Sequence, residues 1–160
     1  MKKNIRSIWA VMLLAAVFSL VACTKEKSIE KADPTASQEN SWRFTQGTKL
    51  YTGSIDTAMV EEINGIQIFS LLGPTTDGLG VFELAVGGTA VLPGEYVSPF
   101  SAMYYEDNEV LFESDPLQTG FKVRITSIDS VKVTGTFSGK VLDSAGAEVD
   151  IISGSFSASL

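Results

Sequence analysis

The stretch Val131-Lys132-Val133-Thr134-Gly135-Thr136-Phe137-Ser138-Gly139-Lys140-Val141 decides the fold class. Apolar or small residues alternate strictly with polar ones along its whole length. A period of two is typical of a β-strand that buries one face and exposes the other. The sequence therefore predicts a long half-buried strand, with Phe137 on the buried face.

The residues on both sides of this strand continue the pattern. Residues 143–147 predict a turn. Beyond the turn, the inward positions are first the odd-numbered Val149 and Ile151. They are then the even-numbered Ile152, Gly154, Phe156, Ala158 and Leu160, with Ser153, Ser155, Ser157 and Ser159 facing away. A phase change between Ile151 and Ile152 predicts a β-bulge. Because residues 121–126 also alternate, we expect three consecutive antiparallel strands at the C-terminus.

The N-terminal half is noisier but also rich in strands. Residues 55–63 could form one helical turn or a bent strand, and Asn64-Gly65 predicts a hairpin turn. About nine or ten short strands follow one another without a long amphipathic helix. We assign four aromatic residues to the core: Trp42, Phe44, Phe137 and Phe156. The prediction is an all-β domain over residues 42–160, a single antiparallel β-sandwich, with an up-and-down, lipocalin-like β-barrel as the alternative.

The N-terminus has the features of an export signal. Residues 1–6 carry three cations, and residues 8–21 are apolar apart from Ser19. This run of about 14 residues is shorter than the roughly 20 that span a bilayer. It ends in Leu20-Val21-Ala22-Cys23, which resembles the lipobox of bacterial lipoproteins. The alternative is an ordinary secretory signal or an uncleaved anchor.

The resemblance to bacterial lipoproteins implies cleavage before Cys23 and a lipid on its sulfur. Residues 1–22 are then a signal peptide, and residues 23–41 are the lipidated cysteine and a disordered polar tether. Thr24 stands where an Asp retains such proteins in the inner membrane. Lys25-Glu26 begins like a surface-export signal, but Lys27 interrupts the acids. We expect attachment to the outer membrane, on its cell-surface or periplasmic face.

Three groups of short motifs occur within the predicted β-domain. They are the opening Trp42-Arg43-Phe44-Thr45-Gln46-Gly47, the segment Gly94-Glu95-Tyr96, and the pair Gly135-Thr136-Phe137 and Gly154-Ser155-Phe156. In these the chain resembles small β-rich lipoproteins of unknown function that are common in Bacteroidota. The resemblance implies an extracytoplasmic β-fold and brings no activity with it.

Charge and composition exclude several classes of function. Removal of residues 1–22 changes the net charge from −7 to −10, which disfavours binding to nucleic acid or to anionic lipid. The chain has no histidine, which removes the Ser-His-Asp and Cys-His catalytic sets and the usual zinc sites. Its one cysteine is assigned to the lipid, so no disulfide is expected. We predict a protein that is not an enzyme and has no cofactor or bound metal.

One segment carries the candidate contact residues. The 72 residues between Lys49 and Lys122 contain 11 acids and neither Lys nor Arg. The densest point is Glu106-Asp107-Asn108-Glu109, where clustered carboxylates could hold Ca²⁺, although the EF-hand spacing is missing and a solvated hairpin tip is the alternative. Tyr104 and Tyr105 should point to opposite faces of a strand. The exposed one, beside Glu106 and Asp107, could contact a sugar ring.

These observations predict a lipid-anchored protein with a non-enzymatic binding or structural role at the outer membrane. Its partners would be the membrane, through the lipid on Cys23, and a glycan or another protein. The alternative is a lipocalin-like carrier of a small apolar ligand. A lined cavity of a few hundred Å³ would favour the carrier, and a filled apolar interior would favour the accessory role.

Overall fold

A computed structural model of the chain describes residues 38–117 and 120–160. The predicted signal peptide, Cys23 and the tether up to residue 37 lie outside the described residues. Within them, no helix is long and apolar enough to cross a membrane.

The described residues form eleven β-strands, slightly more than the nine or ten expected. They are β1 (Ser41–Gln46), β2 (Lys49–Ser54), β3 (Thr57–Ile63), β4 (Ile66–Pro74), β5 (Val81–Gly88), β6 (Gly94–Val97), β7 (Ser101–Glu106), β8 (Leu111–Glu113), β9 (Phe121–Ile128), β10 (Lys132–Asp143) and β11 (Glu148–Ser159). The ambiguous segment is thus strand β3. Asn64 and Gly65 both adopt positive φ, at 55° and 78°, which fits the hairpin turn predicted there.

The strands form one antiparallel sheet that curls into a half-barrel. The main path runs β2-β1-β11-β10-β8-β7-β5-β4-β3, and β9 pairs with β10 and β6. A bridge between Gly53 and Thr75 brings the β2 edge to the end of β4. The all-β antiparallel class is therefore confirmed, as are the three consecutive strands at the C-terminus.

The predicted bulge is present in β11, one residue further along than expected. Phe137 pairs with Gly154 and Gly139 pairs with Ile151, so β11 has one residue more than β10 over this interval. Ile152 and Ser153 both point outward, and Ser153 has a φ of 54°. The prediction that Ile152 faces the core was therefore wrong, and its side chain is 48% exposed. The alternation of inward and outward residues resumes only at Gly154, because the bulge takes up two residues.

The first strand begins one residue before the predicted boundary at residue 42. The Asn40 carbonyl accepts a hydrogen bond from the Ile55 N–H at 2.9 Å, and its side-chain Oδ1 accepts one from the Ser159 N–H at 2.7 Å. Strand β1 starts at Ser41. Residues 40 and 41, expected to belong to the tether, therefore contact the segment between β2 and β3 and the end of β11.

Aromatic side chains fill the interior of the half-barrel. All four predicted core residues are at most 2% exposed, which confirms their assignment: Trp42, Phe44, Phe137 and Phe156. The Trp42 ring stacks on Phe82 of β5 with centroids 4.5 Å apart, and Phe156 stacks on Phe69 of β4 at 5.9 Å. These contacts join strands β1 and β11 on one side of the half-barrel to strands β5 and β4 on the other.

Two reciprocal pairs of glycine and phenylalanine set the register of β10 and β11. Gly135 lies opposite Phe156, and Phe137 lies opposite Gly154. A Cβ built on Gly135 would lie 2.5 Å from Cζ of Phe156, and one built on Gly154 would lie 2.5 Å from Cδ2 of Phe137. Each ring therefore occupies the space that a side chain on the opposite strand would need.

Either phenylalanine should be essential to stability. Phe137→Ala and Phe156→Ala should each lower the free energy of unfolding by about 3–5 kcal/mol, because each leaves a cavity above a residue that has no side chain. Chemical denaturation measures the loss. The exposed neighbour Thr136 provides the control, and Thr136→Ala should change stability by less than about 0.5 kcal/mol. An equally small loss for both phenylalanine variants would contradict the assignment of the strand faces.

Candidate functional site

The five candidate contact residues of the β7–β8 hairpin do not form one site. Tyr105 is 2% exposed and points into the interior, whereas Tyr104 is half-buried and lies on the outer face. This confirms that the two tyrosines point to opposite sides of the strand. Tyr104 lines one surface and is hydrogen-bonded to Glu106 at its margin, whereas Tyr105, Asp107 and Glu109 line another.

The second surface is a cleft of about 660 Å³ at one end of the half-barrel, which we call the acidic cleft. It is bordered by residues 49–52 of β2, the loop after β4 and the turn after β7. The hydroxyl of Tyr105 donates a hydrogen bond to Oδ2 of Asp107 at 2.6 Å. Burial, together with this bond to a carboxylate, raises the pKa of Tyr105 far above its ordinary value.

Asp107 has a structural role at the turn. Its Oδ1 accepts hydrogen bonds from the N–H groups of Glu109 and Val110 at 2.7 and 2.8 Å. Partial burial opposes ionisation, but these bonds and the one from Tyr105 outweigh it and hold the pKa of Asp107 below its ordinary value. Both carboxylate oxygens are therefore engaged within the hairpin.

Glu109 is the ion-pair partner of Lys49 across the cleft. The Lys49 Nζ lies 3.3 Å from Oε2 of Glu109 and 4.8 Å from the centroid of the Tyr51 ring. The hydrogen bond to Glu109 raises the pKa of Lys49. The mouth of the cleft thus has its own cation, which offsets part of its acidity.

The same turn chemistry recurs through the chain. Among the residues that the structure describes, five aspartates accept backbone N–H bonds at turns: Asp77, Asp107, Asp115, Asp129 and Asp143. Short carboxylates stabilise turns in this way. In residues 38–117 and 120–160, no group of three or more His, Cys, Asp or Glu side chains is placed to hold a metal ion. Calcium at residues 106–109 was only the alternative to a solvated hairpin tip, and both carboxylate oxygens of Asp107 already have other partners there.

The other surface is a groove of about 390 Å³ on the outside of the sheet, which we call the outer groove. Cross-strand pairing builds two adjacent rows of side chains. One row is Thr57, Leu72, Glu83, Tyr104 and Glu113, in register from β3 to β8. The second is Met59, Ser70, Ala85 and Ala102. The small side chains of the second row form the floor, and the larger ones of the first row form a wall.

The apolar floor extends beyond this groove. A neighbouring pocket of about 240 Å³ shares Ala85 and Ala102 with it and is bordered by Ile66, Ile68 and Phe100. Phe100 is 56% exposed, and Leu72 in the wall is 40% exposed. Contiguous exposed apolar area on a sheet face is typical of an interaction surface.

The wall of the outer groove is strongly negative. The hydroxyl of Tyr104 donates a hydrogen bond to Glu106. This bond raises the pKa of Tyr104, and desolvation and then the charges of Glu106, Glu113 and Glu83 raise it further. Within the described residues, the ion pairs join Lys49 to Glu109, Lys122 to Glu95 and Lys140 to Glu148. The three carboxylates around Tyr104 take no part in them.

The sequence pointed to Tyr104 and Glu106 but missed the residues that complete the outer groove. Ala102 lies two residues before Tyr104 on β7, whereas Glu83 and Ala85 of β5 and Glu113 of β8 come next to it only through register. The available signal was alternation: glutamate and alanine recur at outward positions of β5 and β7, where a solvated strand usually carries a mixture of polar residues. Comparison with family models, curated proteins and solved structures finds no match.

The contact between Tyr105 and Asp107 should stabilise the hairpin. Asp107→Ala leaves the buried Tyr105 hydroxyl without its acceptor and should lower the free energy of unfolding by about 1–3 kcal/mol. In the background of Tyr105→Phe the same change should cost less, because the hydroxyl is already gone. Chemical denaturation of the four proteins in this double-mutant cycle measures the coupling. Strict additivity would show that the two side chains do not interact.

The contribution of Asp107 should also depend on pH. Its pKa is lowered in the folded protein, so the charged form contributes stability that is fully present above the unfolded pKa of about 3.9. That stability is lost as the pH falls through the lower folded value. The difference in unfolding free energy between wild type and Asp107→Ala should therefore shrink below about pH 3.9. A difference that stays constant down to acid unfolding would contradict the lowered pKa.

Proposed function

We propose that this protein is a lipid-anchored binding accessory of the outer membrane and that its binding surface is the outer groove. The observation that carries the proposal is the groove itself, an exposed apolar floor with an aromatic and acidic wall on the outside of a filled half-barrel. The lipobox resemblance at Leu20-Val21-Ala22-Cys23 supports the anchor. Two or more acyl chains on Cys23 would hold the domain stably at a membrane.

The interior gives little support to a lipocalin-like carrier. A carrier needs an internal space for its ligand, and here that region is occupied by stacked rings. Phe44 packs on Tyr51 at 4.8 Å between centroids, and Phe82 packs on Phe137 at 5.4 Å. Aromatic pairs at these distances are in contact. Binding on the outer face therefore fits the described residues better than binding inside.

The outer groove is also better suited to binding than to catalysis. Its carboxylates, Glu83 and Glu113, are exposed on a sheet face on either side of Tyr104. General acid catalysis by a carboxyl requires a raised pKa, which usually comes from burial. An exposed acid on an open face supplies charge and hydrogen-bond acceptors instead.

The anchor is tested by removing its attachment point. Cys23→Ser should abolish labelling with palmitate and leave unprocessed or soluble protein, because the serine cannot form the thioether. Metabolic labelling followed by membrane fractionation measures both effects. Continued labelling of the Cys23→Ser protein would refute the lipobox assignment.

The binding surface is tested by photo-crosslinking in living cells. p-Benzoylphenylalanine replaces Ala102 on the floor of the outer groove, and Thr136, on the outer face of β10, serves as the matched control position. Both residues are exposed on strands. We expect discrete adducts with an envelope component from position 102 and none from position 136. Equal patterns from both positions, or none from either, would contradict a binding role for the outer groove.

A further inference from the structure

The shape of the outer groove limits what can bind in it. From Met59 on β3 to Ala102 on β7 the floor crosses four adjacent strands. Three strand spacings correspond to about 14 Å, which an extended polypeptide covers in about four or five residues. The alanines leave room for an apolar side chain, and Leu72 and Met59 can flank it.

The charge of the outer groove further restricts the class of ligand that it can bind. Glu83 and Glu113 lie on the two strands next to Tyr104 and pair with it in register, and Glu106 accepts the hydrogen bond from its hydroxyl. An aromatic ring between carboxylates attracts a cation through both the ring face and the charges. Within the described residues, the ion pairs of Lys49, Lys122 and Lys140 go to other carboxylates, so none of these three lysines pairs with Glu83, Glu106 or Glu113.

The lining is poorly suited to a neutral sugar. Recognition of sugar hydroxyls usually needs donors as well as acceptors, commonly from amide or cationic side chains. The residues that line the outer groove include no Asn, Gln, Lys or Arg, and their polar side chains are limited to hydroxyls and glutamates. The excess of acceptors favours a ligand that brings positively charged donors.

We propose that the outer groove binds an extended basic segment of a partner polypeptide. An apolar side chain of the segment lies on Ala85 and Ala102, and a lysine or arginine of the segment lies over Tyr104 between Glu83 and Glu113. This inference rests on the proposed binding function and adds the chemistry of the partner. Exposed ion pairs and a cation–π contact together give modest affinity, so the association is reversible and sensitive to salt.

The test uses a defined peptide and the full lipidated protein in uncharged detergent. The probe is fluorescein-labelled Lys-Thr-Val-Thr-Lys, which places both lysines and the valine on one face of an extended chain. Fluorescence anisotropy gives its affinity. We expect saturable binding that weakens as salt is raised, and no binding of the charge-reversed Glu-Thr-Val-Thr-Glu.

The site is located by two pairs of substitutions that remove the same charge. Glu83→Gln with Glu113→Gln should weaken binding of the lysine peptide roughly tenfold, and Tyr104→Leu should also weaken it. Glu39→Gln with Asp150→Asn removes two exposed acids that take part in none of the ion pairs of the described residues, and should leave the affinity within about twofold. All four positions are solvent-exposed, so the variants should melt like wild type.

Several results would overturn the inference. Equal weakening by the two double substitutions would mean that the peptide senses only the net charge. Absence of peptide binding, or calorimetric binding of maltotriose in place of the peptide, would exclude a basic polypeptide as the ligand. If crosslinks still form from position 102 in cells, the proposed binding function survives and only the partner class is wrong. If these crosslinks are absent as well, both proposals fail.

Discussion

The reciprocal packing of Phe137 on Gly154 and of Phe156 on Gly135 is the contact on which the rest of the sheet depends. Each ring fits only because the opposite residue has no Cβ, so a shift of one residue in register would drive a side chain into the ring. Loss of one ring costs about 3–5 kcal/mol, a large part of the 5–15 kcal/mol that stabilises a typical domain. The pairs therefore define both the register and the inner face of the C-terminal hairpin.

The same packing of a large ring against a glycine extends to the next strands. Trp42 on β1 pairs with Phe156 on one side and with Gly53 on the other, and a Cβ on Gly53 would lie 2.4 Å from Cζ2 of the indole. Gly53 also forms the bridge to Thr75 beyond β4. A row of two large rings, Phe156 and Trp42, with a glycine on each side thus runs from β10 to the edge of the sheet. It bends the sheet around the rings, which then stack on Phe69 and Phe82 of the facing strands.

Alternation in the sequence was enough to predict the fold class, the core rings and the opposite orientations of Tyr104 and Tyr105. Each of these depends on the period of one strand, which is a local property. The phase of Ile152 was wrong because a bulge can take up one or two residues, and only the partner strand decides between them. The outer groove could not be predicted because Glu83, Tyr104 and Glu113 belong to three strands whose registers are set by packing.

The order of the strands keeps residues that are close in the sequence close together on the surface. An uneven distribution of charge along the chain therefore becomes an uneven distribution over the surface. Strands β3, β4, β5, β7 and β8 follow one another in both sequence and sheet order, apart from the short β6. The part of the cation-free segment that forms β3, β4, β5, β7 and β8 is therefore one continuous region of the sheet. The opposite wall carries the cations of β9 and β10, which are Lys122, Arg124, Lys132 and Lys140. Because the strand order concentrates acids around the outer groove, the groove attracts a cation more strongly than the net charge of the chain alone would.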